Sequence, residues 1–573
     1  MSSGSAAEAK TGRFPLWVIA IIVGSIALSL PAILAGYWLD DYWRMDTAFH
    51  EVEGPLAYYD YLEWWIGTDS LHWWGHPDFM IRRLQPLGSL SLFFDFKVWG
   101  SNPIYGHLQS VLWFVLLLLG ALRLLRTLLS LRAAHLALAI FALGEIHTMP
   151  LGWISARCHV MGGALSIWAV VYYLAWRQRG ERRDLVLALL LLVLGLLTVE
   201  ASIAVAAMLL AYELLGSTES RRQRALAFAP IALVGAAYLI LHTVLGYGVH
   251  HATPAYINPV LEPGLYLANV VPGMLALLGV FSFGIPGFLR IMPGGIGYVP
   301  MVAGLIGAIL LLGALLRART RLDPAQRRQL KWLGLATILS IAPALASTMT
   351  EGREALLAGL AFAAVAGLSL RALLSMPRSW HRLAHVSLLC FGFFFLSPLM
   401  RVGQSASYIG MSKTQERIGK ESRIDCAPGA RAFLLNGDFP LGLYAPQLLG
   451  RHQGIDVASW DLLLDPQADI EVTRSDVDTL TISSAKTMIA EHLMLGYAMG
   501  VGEVFDRGEP RATILERSER GPTKIAFTIQ HLDDRARTCL LYYGDGIIQP
   551  ATIPALGETV TIPLEMSLVP PKQ

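Results

Sequence analysis

Apolar runs of roughly twenty residues, the length that crosses a hydrocarbon core, recur along the first 400 positions. They predict membrane spans near 14–36, 104–128, 133–152, 158–176, 184–199, 200–216, 225–246, 296–316, 332–350, 354–375 and 383–400, about eleven in all. Basic residues gather in alternate gaps between them. Arg123, Arg126 and Arg132 follow the second run, Arg177, Arg179, Arg182 and Arg183 the fourth, and Arg221, Arg222 and Arg224 the sixth. Arg317, Arg319, Arg321, Arg327, Arg328 and Lys331 form the densest cluster. Lys and Arg accumulate on the cytoplasmic side of a membrane. The pattern therefore predicts a cytoplasmic stub at 1–13 and a transmembrane domain at 14–400. A large connection at 37–103 and a second at 247–263, which holds no Lys or Arg, would then face outward. Residues 264–290 are apolar enough to span, but a full crossing there would put the densest basic cluster outside. Pro272, Gly273, Pro286 and Gly287 interrupt the run, which reads as outer-face or re-entrant helices packed within protein.

The pattern changes after Met400. Charged residues become frequent, and short β-like runs at 432–435, 479–483, 524–529, 539–543 and 559–563 alternate with turns such as Asn436-Gly437-Asp438 and Gly544-Asp545-Gly546. This predicts a mixed α/β domain over 401–573, on the extracytoplasmic side by the same count of spans. The expected fold class is thus a polytopic α-helical membrane protein with a C-terminal extracytoplasmic mixed α/β domain.

Composition agrees. The 573 residues are 54% hydrophobic and only 15% charged, with a mean hydropathy of +0.50, where a soluble domain carries about a quarter charged residues. The net charge of +2 and the confinement of basic residues to gaps between spans give no nucleic-acid surface. The first apolar run is long for a signal-peptide core and lacks a small-x-small cleavage site, so an uncleaved anchor is favoured. Cys426 and Cys539 could pair in an oxidising compartment or remain two buried thiols. The absence of a P-loop or Rossmann glycine pattern disfavours an ATP-driven pump with its motor in the same chain.

Ionisable residues collect at one membrane face. Asp40 and Asp41 stand at the outer end of the first span, in Tyr37-Trp38-Leu39-Asp40-Asp41-Tyr42-Trp43. Adjacent carboxylates there need water, a cation or a reacting proton; the plainer reading is a polar helix end in an aromatic belt. If the helix continues through them, their side chains diverge by about 100°. Arg82 and Arg83 lie on the outward side against the positive-inside bias, and arginine forks suit phosphate oxygens; a solvated pair or local salt bridge is the alternative. Further along are Glu145 and His147, then Arg157, Glu200, Glu351 and Arg353. Each alone could be a structural ion pair.

The order of these motifs resembles the C-type glycosyltransferases that use polyprenyl-phosphate sugars, specifically protein O-mannosyltransferase relatives and the transmembrane-and-tetratricopeptide family. Asp40-Asp41 matches the acidic pair after the first span. Gln85-Pro86-Leu87, Asp95, Trp99-Gly100-Ser101-Asn102-Pro103 and Tyr105-Gly106-His107-Leu108 follow the family order, with Gln85 in place of arginine. The stretch from His147 to Arg157, Val199-Glu200 and Glu351-Gly352-Arg353 match later motifs. Met149 replaces a family glutamate, although Glu145 lies one helical turn earlier; Val199 replaces a lysine, and no tetratricopeptide period appears in the C-terminal domain.

The resemblance implies transfer of a sugar from polyprenyl phosphate to an acceptor hydroxyl on a glycan, lipid or protein, on the outer face of a bacterial inner membrane. In this reading Asp40 is the general base, and Asp41 orients it or helps hold a divalent cation, Mg or Mn. Arg82, Arg83, Arg157 and Arg353 are candidates for the donor phosphate, while Glu145, His147, His107 and Glu200 position the acceptor. Two alternatives stay open: a lipid-linked-sugar transporter, which would place ionisable groups near the bilayer midplane, and a non-catalytic scaffold derived from this fold, to which Met149 and Val199 lend support.

Overall fold

A computed structural model describes residues 16–66, 72–75, 80–250, 256–292, 294–489, 498–506 and 508–565; the expected stub at 1–13 lies outside them. The chain opens with α1 (Leu16–Ile33), unwinds, and restarts as α2 (Asp40–Asp46). With α3 (Pro55–Glu63), β1 (Trp64–Ile66), β2 (Met80–Arg82) and α4 (Pro86–Trp99) it builds the long first connection. Then come α5 (Pro103–Leu128), α6 (Leu131–Leu143), α7 (Thr148–Gly152), α8 (Arg157–Arg179), α9 (Arg182–Leu196), α10 (Ala204–Ala211) and α11 (Arg221–Val244). Strand β3 (Gly248–His250) leads to α12 (Pro263–Phe283), α13 (Val299–Ala318), α14 (Pro324–Ile341), α15 (Leu356–Leu374), α16 (Trp380–Phe391) and α17 (Ser397–Glu421).

Among the described residues, nine helices are long and apolar enough to cross a membrane, or ten if the pair at 131–143 and 145–152, bent by 52°, forms one span. The chain is an integral membrane protein. Two of the eleven expected spans are shorter than the sequence suggested. The run at 184–199 becomes the 15-residue α9, and 200–216 breaks into a 3-10 turn, α10 and a π turn. The chain unwinds between them at 197–199, just before Glu200, a carboxylate that apolar surroundings cannot solvate. Pro272 and Gly273 do not interrupt their segment: α12 is one continuous helix, stopped by Gly284 at a left-handed φ of 69°. Likewise α17 runs straight through position 400, so the helical part extends to Glu421.

Close glycine contacts give the helix directions. Gly106 meets Ile154, Gly163 meets Leu117, and Gly120 meets Ile167, so α5 and α8 run parallel. Gly359 meets Ile146 and Gly367 meets Ala137, so α15 runs antiparallel to α6. Gly279 approaches Pro300 and Gly304 while Gly307 approaches Ser282; α12 and α13 therefore run the same way. The stretch between them doubles back, with Arg290 beside Gly273. At one end of the bundle Arg177 pairs with Glu213 at 2.8 Å, Arg224 donates to the Glu213 carbonyl at 2.8 Å, and Arg317 donates to His385 Nδ1 at 2.8 Å. These basic clusters share that end. The first connection and the C-terminal domain occupy the other.

The C-terminal domain contains β4 (Arg431–Leu434), α18 (Phe439–Gln453), β5 (Ser459–Leu462), β6 (Ile470–Asp476), β7 (Thr479–Ser484), β8 (Val504–Phe505), β9 (Arg511–Ser518), β10 (Gly521–Thr528), β11 (Thr538–Gly544), β12 (Ile547–Pro550) and β13 (Thr559–Ile562). One sheet has the order β12-β11-β4-β5, parallel across β11, β4 and β5; the other is antiparallel, β13-β6-β7-β10-β9-β8. Cys426 and Cys539 form a disulfide. Among the described residues the domain's buried apolar side chains form one cluster with those of the first connection. Tyr37, Tyr42, Tyr58, Trp73, Trp74, Phe93 and Phe96 belong to one buried cluster with Phe433, Leu462, Phe527 and Leu541. Trp73 stacks edge-on against Phe505 and Phe527, and its indole donates to the Leu463 carbonyl at 3.0 Å. Each large apolar side chain so buried contributes about 1.5–3 kcal/mol, enough to fix the domain on the connection at 37–103.

Candidate functional site

The break between α1 and α2 sets the site. Leu39 holds φ at 50°, a left-handed conformation that costs a non-glycine residue of order 1–3 kcal/mol. Its amide donates to Gln415 Oε1 of α17 at 2.9 Å, which helps hold it there. The two carboxylates that follow are buried, with 4% of Asp40 and none of Asp41 exposed, and they part company. Asp41 Oδ1 accepts from the Ser155 amide at 2.8 Å and the Ser155 hydroxyl at 2.5 Å, and its Oδ2 accepts from the Trp38 amide at 3.3 Å. Burial still pushes the Asp41 carboxyl up to about 7 against those donors. Asp40 Oδ1 accepts from one group, the Tyr444 hydroxyl of α18. Asp40 Oδ2 has no hydrogen bond among the described residues. Asp41 is the anchored carboxylate and Asp40 the available one.

Several motif residues turn out to be braces around this pair. Arg157, the first residue of α8, spends its guanidinium on a buried pair with Asp95 and on Ser91 (3.0 Å), Gln109 and Ser110 (3.2 Å), tying α4 and α5 to α8. Gln85 donates to Glu200 at 2.5 Å, and the Leu87 amide to the Leu197 carbonyl at 3.0 Å, joining two motifs far apart in sequence. His107 sits between the Leu151 and Ala35 carbonyls, 2.9 and 3.0 Å from its two ring nitrogens. His147 lies 2.8 Å from the Phe141 carbonyl, between the Phe114 and Phe141 rings. Asn102 caps α5. Glu145 is buried beside Gln404 and in the field of Arg401.

The cationic side gathers elsewhere on the same end of the bundle. Arg353 lies over the Trp153 ring, 5.3 Å from its centroid. Cys158 stands within the electrostatic reach of Arg44, Arg83, Glu200 and Arg353 together. The phenol of Tyr256 is raised by burial, lowered by Arg83 and Arg353, and raised again by Glu354 and Asp40, so it links the cations to the acidic pair. Next to them a cleft is lined by His159, Ser166 and Ser202 with Arg353 and Glu354. Among the described residues His159 Nδ1, Ser166 Oγ, Ser202 Oγ and Arg353 Nε are all buried there without a hydrogen-bond partner. Four unsatisfied polar atoms around one cleft are costly unless a polar guest or water meets them. Arg82 lies apart from this group, donating to the Leu245 carbonyl and covering the Tyr247 ring at 4.5 Å.

Of the expected site residues, Asp40 and Asp41 stand together, Arg83, Arg353 and Glu200 lie within electrostatic reach of Cys158, and Asp40, Arg83 and Arg353 all act on the Tyr256 phenol. The structure uses Arg157, His107 and His147 as supports and sends Arg82 to the rim. Arg44, His159, Glu354, Tyr256 and Tyr444 were missed. His159 and Glu354 are chain neighbours of quoted motif residues, a signal that was available; Tyr444 carried none, because only the fold brings it to Asp40 across 404 positions. Among the described residues no group of three or more His, Cys, Asp or Glu side chains could hold a metal ion. Asp41 Oδ1 accepts two hydrogen bonds and its Oδ2 one, so Asp40 Oδ2 is the oxygen of the pair left most open to a Mg or Mn ion.

No family model matches the chain, and no curated protein matches it. Among solved structures, the chain is similar to the archaeal oligosaccharyltransferase AglB from Archaeoglobus fulgidus in complex with an inhibitory peptide and a dolichol-phosphate, at 12% identity over 76% of this chain and 64% of that one, with a TM-score of 0.43. It is similar to the Archaeoglobus fulgidus oligosaccharyltransferase tethered with an acceptor peptide, at 13% identity over 78% and 64%, with a TM-score of 0.45. ArnT from Cupriavidus metallidurans in the apo state follows at 14% identity over 76% and 84%, with a TM-score of 0.32. The chain thus spans 64% of the length of these two oligosaccharyltransferase chains.

Proposed function

We propose that this protein is a membrane glycosyltransferase that moves a sugar from a polyprenyl-phosphate donor to an acceptor hydroxyl. One observation carries the reading: a buried carboxylate with one oxygen free of hydrogen bonds among the described residues, Asp40, lies one helical turn from Arg44 on α2 and acts together with Arg83 and Arg353 on the Tyr256 phenol. The reaction needs that combination. The acceptor oxygen forms a bond to the anomeric carbon as its proton passes to Asp40. The bond from that carbon to the phosphate oxygen breaks, and the departing phosphate gains a negative charge that Arg83 and Arg353 offset. Asp41, fixed by Ser155 and Trp38, holds the backbone turn from which Asp40 projects. The buried polar atoms of His159, Ser166, Ser202 and Arg353, unpartnered among the described residues, line a space of about one water beside the proposed phosphate site. With the basic clusters cytoplasmic, the site faces the extracytoplasmic side of a plasma membrane, reached by donor lipid and by a glycan, lipid or protein acceptor.

The test is reconstitution. Purified protein in liposomes containing polyprenyl-phosphate-linked radiolabelled sugar should move label from the lipid into an acceptor fraction. Labelled sugar that crosses the bilayer still attached to its lipid would instead support a transporter. Because no step runs through a metal, transfer should persist in EDTA; loss in EDTA with recovery on adding Mg or Mn would put an ion on Asp40.

A further inference from the structure

We infer that Tyr444, contributed by the C-terminal domain, is a positioning residue for Asp40; the inference rests on the function proposed above. The phenol hydroxyl of Tyr444 donates to Asp40 Oδ1 and makes the only side-chain hydrogen bond to that carboxylate among the described residues. Both partners are buried, at 8% and 4% exposure. With Oδ1 held, rotation of the carboxylate is restricted, and Oδ2 keeps no hydrogen bond among the described residues. Without the phenol, the side chain of Asp40 is free to rotate about its own bonds.

The surroundings support a positioned group over an accidental contact. Asp438 caps α18 by accepting from the Leu441 amide at 2.9 Å. Gln453 at its other end donates to the Gly419 and Ser422 carbonyls at 2.9 and 2.8 Å. Arg451, two turns beyond Tyr444, meets Met45 Sδ of α2 at 3.0 Å and covers the Tyr37 ring. Helix α18 is thus pinned at both ends and along one face against α17 and α2, which carries Asp40 itself. Tyr444 is also within the fields of Arg44 and Tyr256, so its hydroxyl sits inside the charged cluster. The C-terminal domain supplies part of the site.

A base held in register matters because a misplacement of about 1 Å costs on the order of 100-fold in rate. Tyr444→Phe in the full-length protein should lower kcat for sugar transfer on the order of 10- to 100-fold while the KM for the polyprenyl-phosphate donor stays within about twofold. Because Tyr444 acts through Asp40, the same substitution in an Asp40→Asn background should remove almost nothing further. Arg474→Ala, which removes the ion pair with Asp533 in the antiparallel sheet, controls for plain destabilisation and should leave kcat near the wild-type value. Equal losses in both backgrounds, or an unchanged kcat in Tyr444→Phe, would overturn this inference while wild-type transfer keeps the functional reading intact. A wild type that transfers no sugar under any acceptor condition overturns the functional reading and this inference with it.

Discussion

Asp41 illustrates how one residue can be read from sequence and still change its part. Two adjacent carboxylates announced a site, and their divergence followed from helical geometry alone. What separates their roles is Ser155, 114 positions away, whose amide and hydroxyl both bind Asp41. Sequence spacing carries no record of such a contact. A carboxyl whose folded pKa is raised adds stability while protonated. The Asp41 contribution is complete below its unfolded value of about 3.9 and is lost as pH climbs through about 7. The melting temperature in detergent should fall between pH 5 and pH 8, and Asp41→Asn should flatten that fall. A slope unaltered by the substitution would assign the titration to another group. Arg157 makes the complementary point. It was expected to bind phosphate, yet its donors are spent on Asp95, Ser91, Gln109 and Ser110. Arg157→Met leaves Asp95 buried without its counter-charge and should cost about 3–5 kcal/mol of stability, read by chemical unfolding in detergent.

At the scale of elements, hydropathy located most of the helices because length and apolarity are local properties. It failed where tertiary contacts decide. Pro272 looked like an interruption, but α12 keeps its course and is held on the neighbouring segment by Asn269, one turn before it, which donates to the Leu345 and Ser347 carbonyls at 2.8 and 3.1 Å. The crossing of α12 and α13 depends on two glycines. A Cβ at Gly304 would fall 1.7 Å from the Leu275 carbonyl oxygen, and one at Gly279 would fall 2.3 Å from that of Pro300. Gly304→Val should therefore abolish recovery of folded, monodisperse protein, whereas Gly334→Ala, with nothing within 4 Å, should not. Size-exclusion profiles of the two variants make the comparison. In the C-terminal domain five β-like runs were legible and appear as β4, β7, β10, β11 and β13. β6 and β9 were not: in each, only the first four positions, Ile470 to Thr473 and Arg511 to Ile514, alternate apolar with polar.

At the scale of the molecule, the sequence divides at Met400 and the structure does not. The first connection and the C-terminal domain share one buried cluster, so they must lie on the same side of the membrane, away from the Arg177, Arg224 and Arg317 end. A single cysteine at position 260, where Val260 is exposed, should label from outside intact cells, and one at 321 should not; the reverse pattern would invert the orientation. Cys426 and Cys539 join β11 to the segment entering β4. Their replacement by serine should cost about 2–5 kcal/mol and release the domain before the bundle unfolds.

The central claim is that Asp40 is the group that takes the acceptor proton. Its most direct test is single-turnover transfer of labelled sugar from polyprenyl phosphate by wild type and Asp40→Asn, with donor binding measured on the same preparations. General-base catalysis contributes about 10²–10⁴-fold, so the variant should lose turnover on that order while binding donor nearly as well. Transfer by Asp40→Asn at the wild-type rate would contradict the account and leave the carboxylate a structural partner of Tyr444.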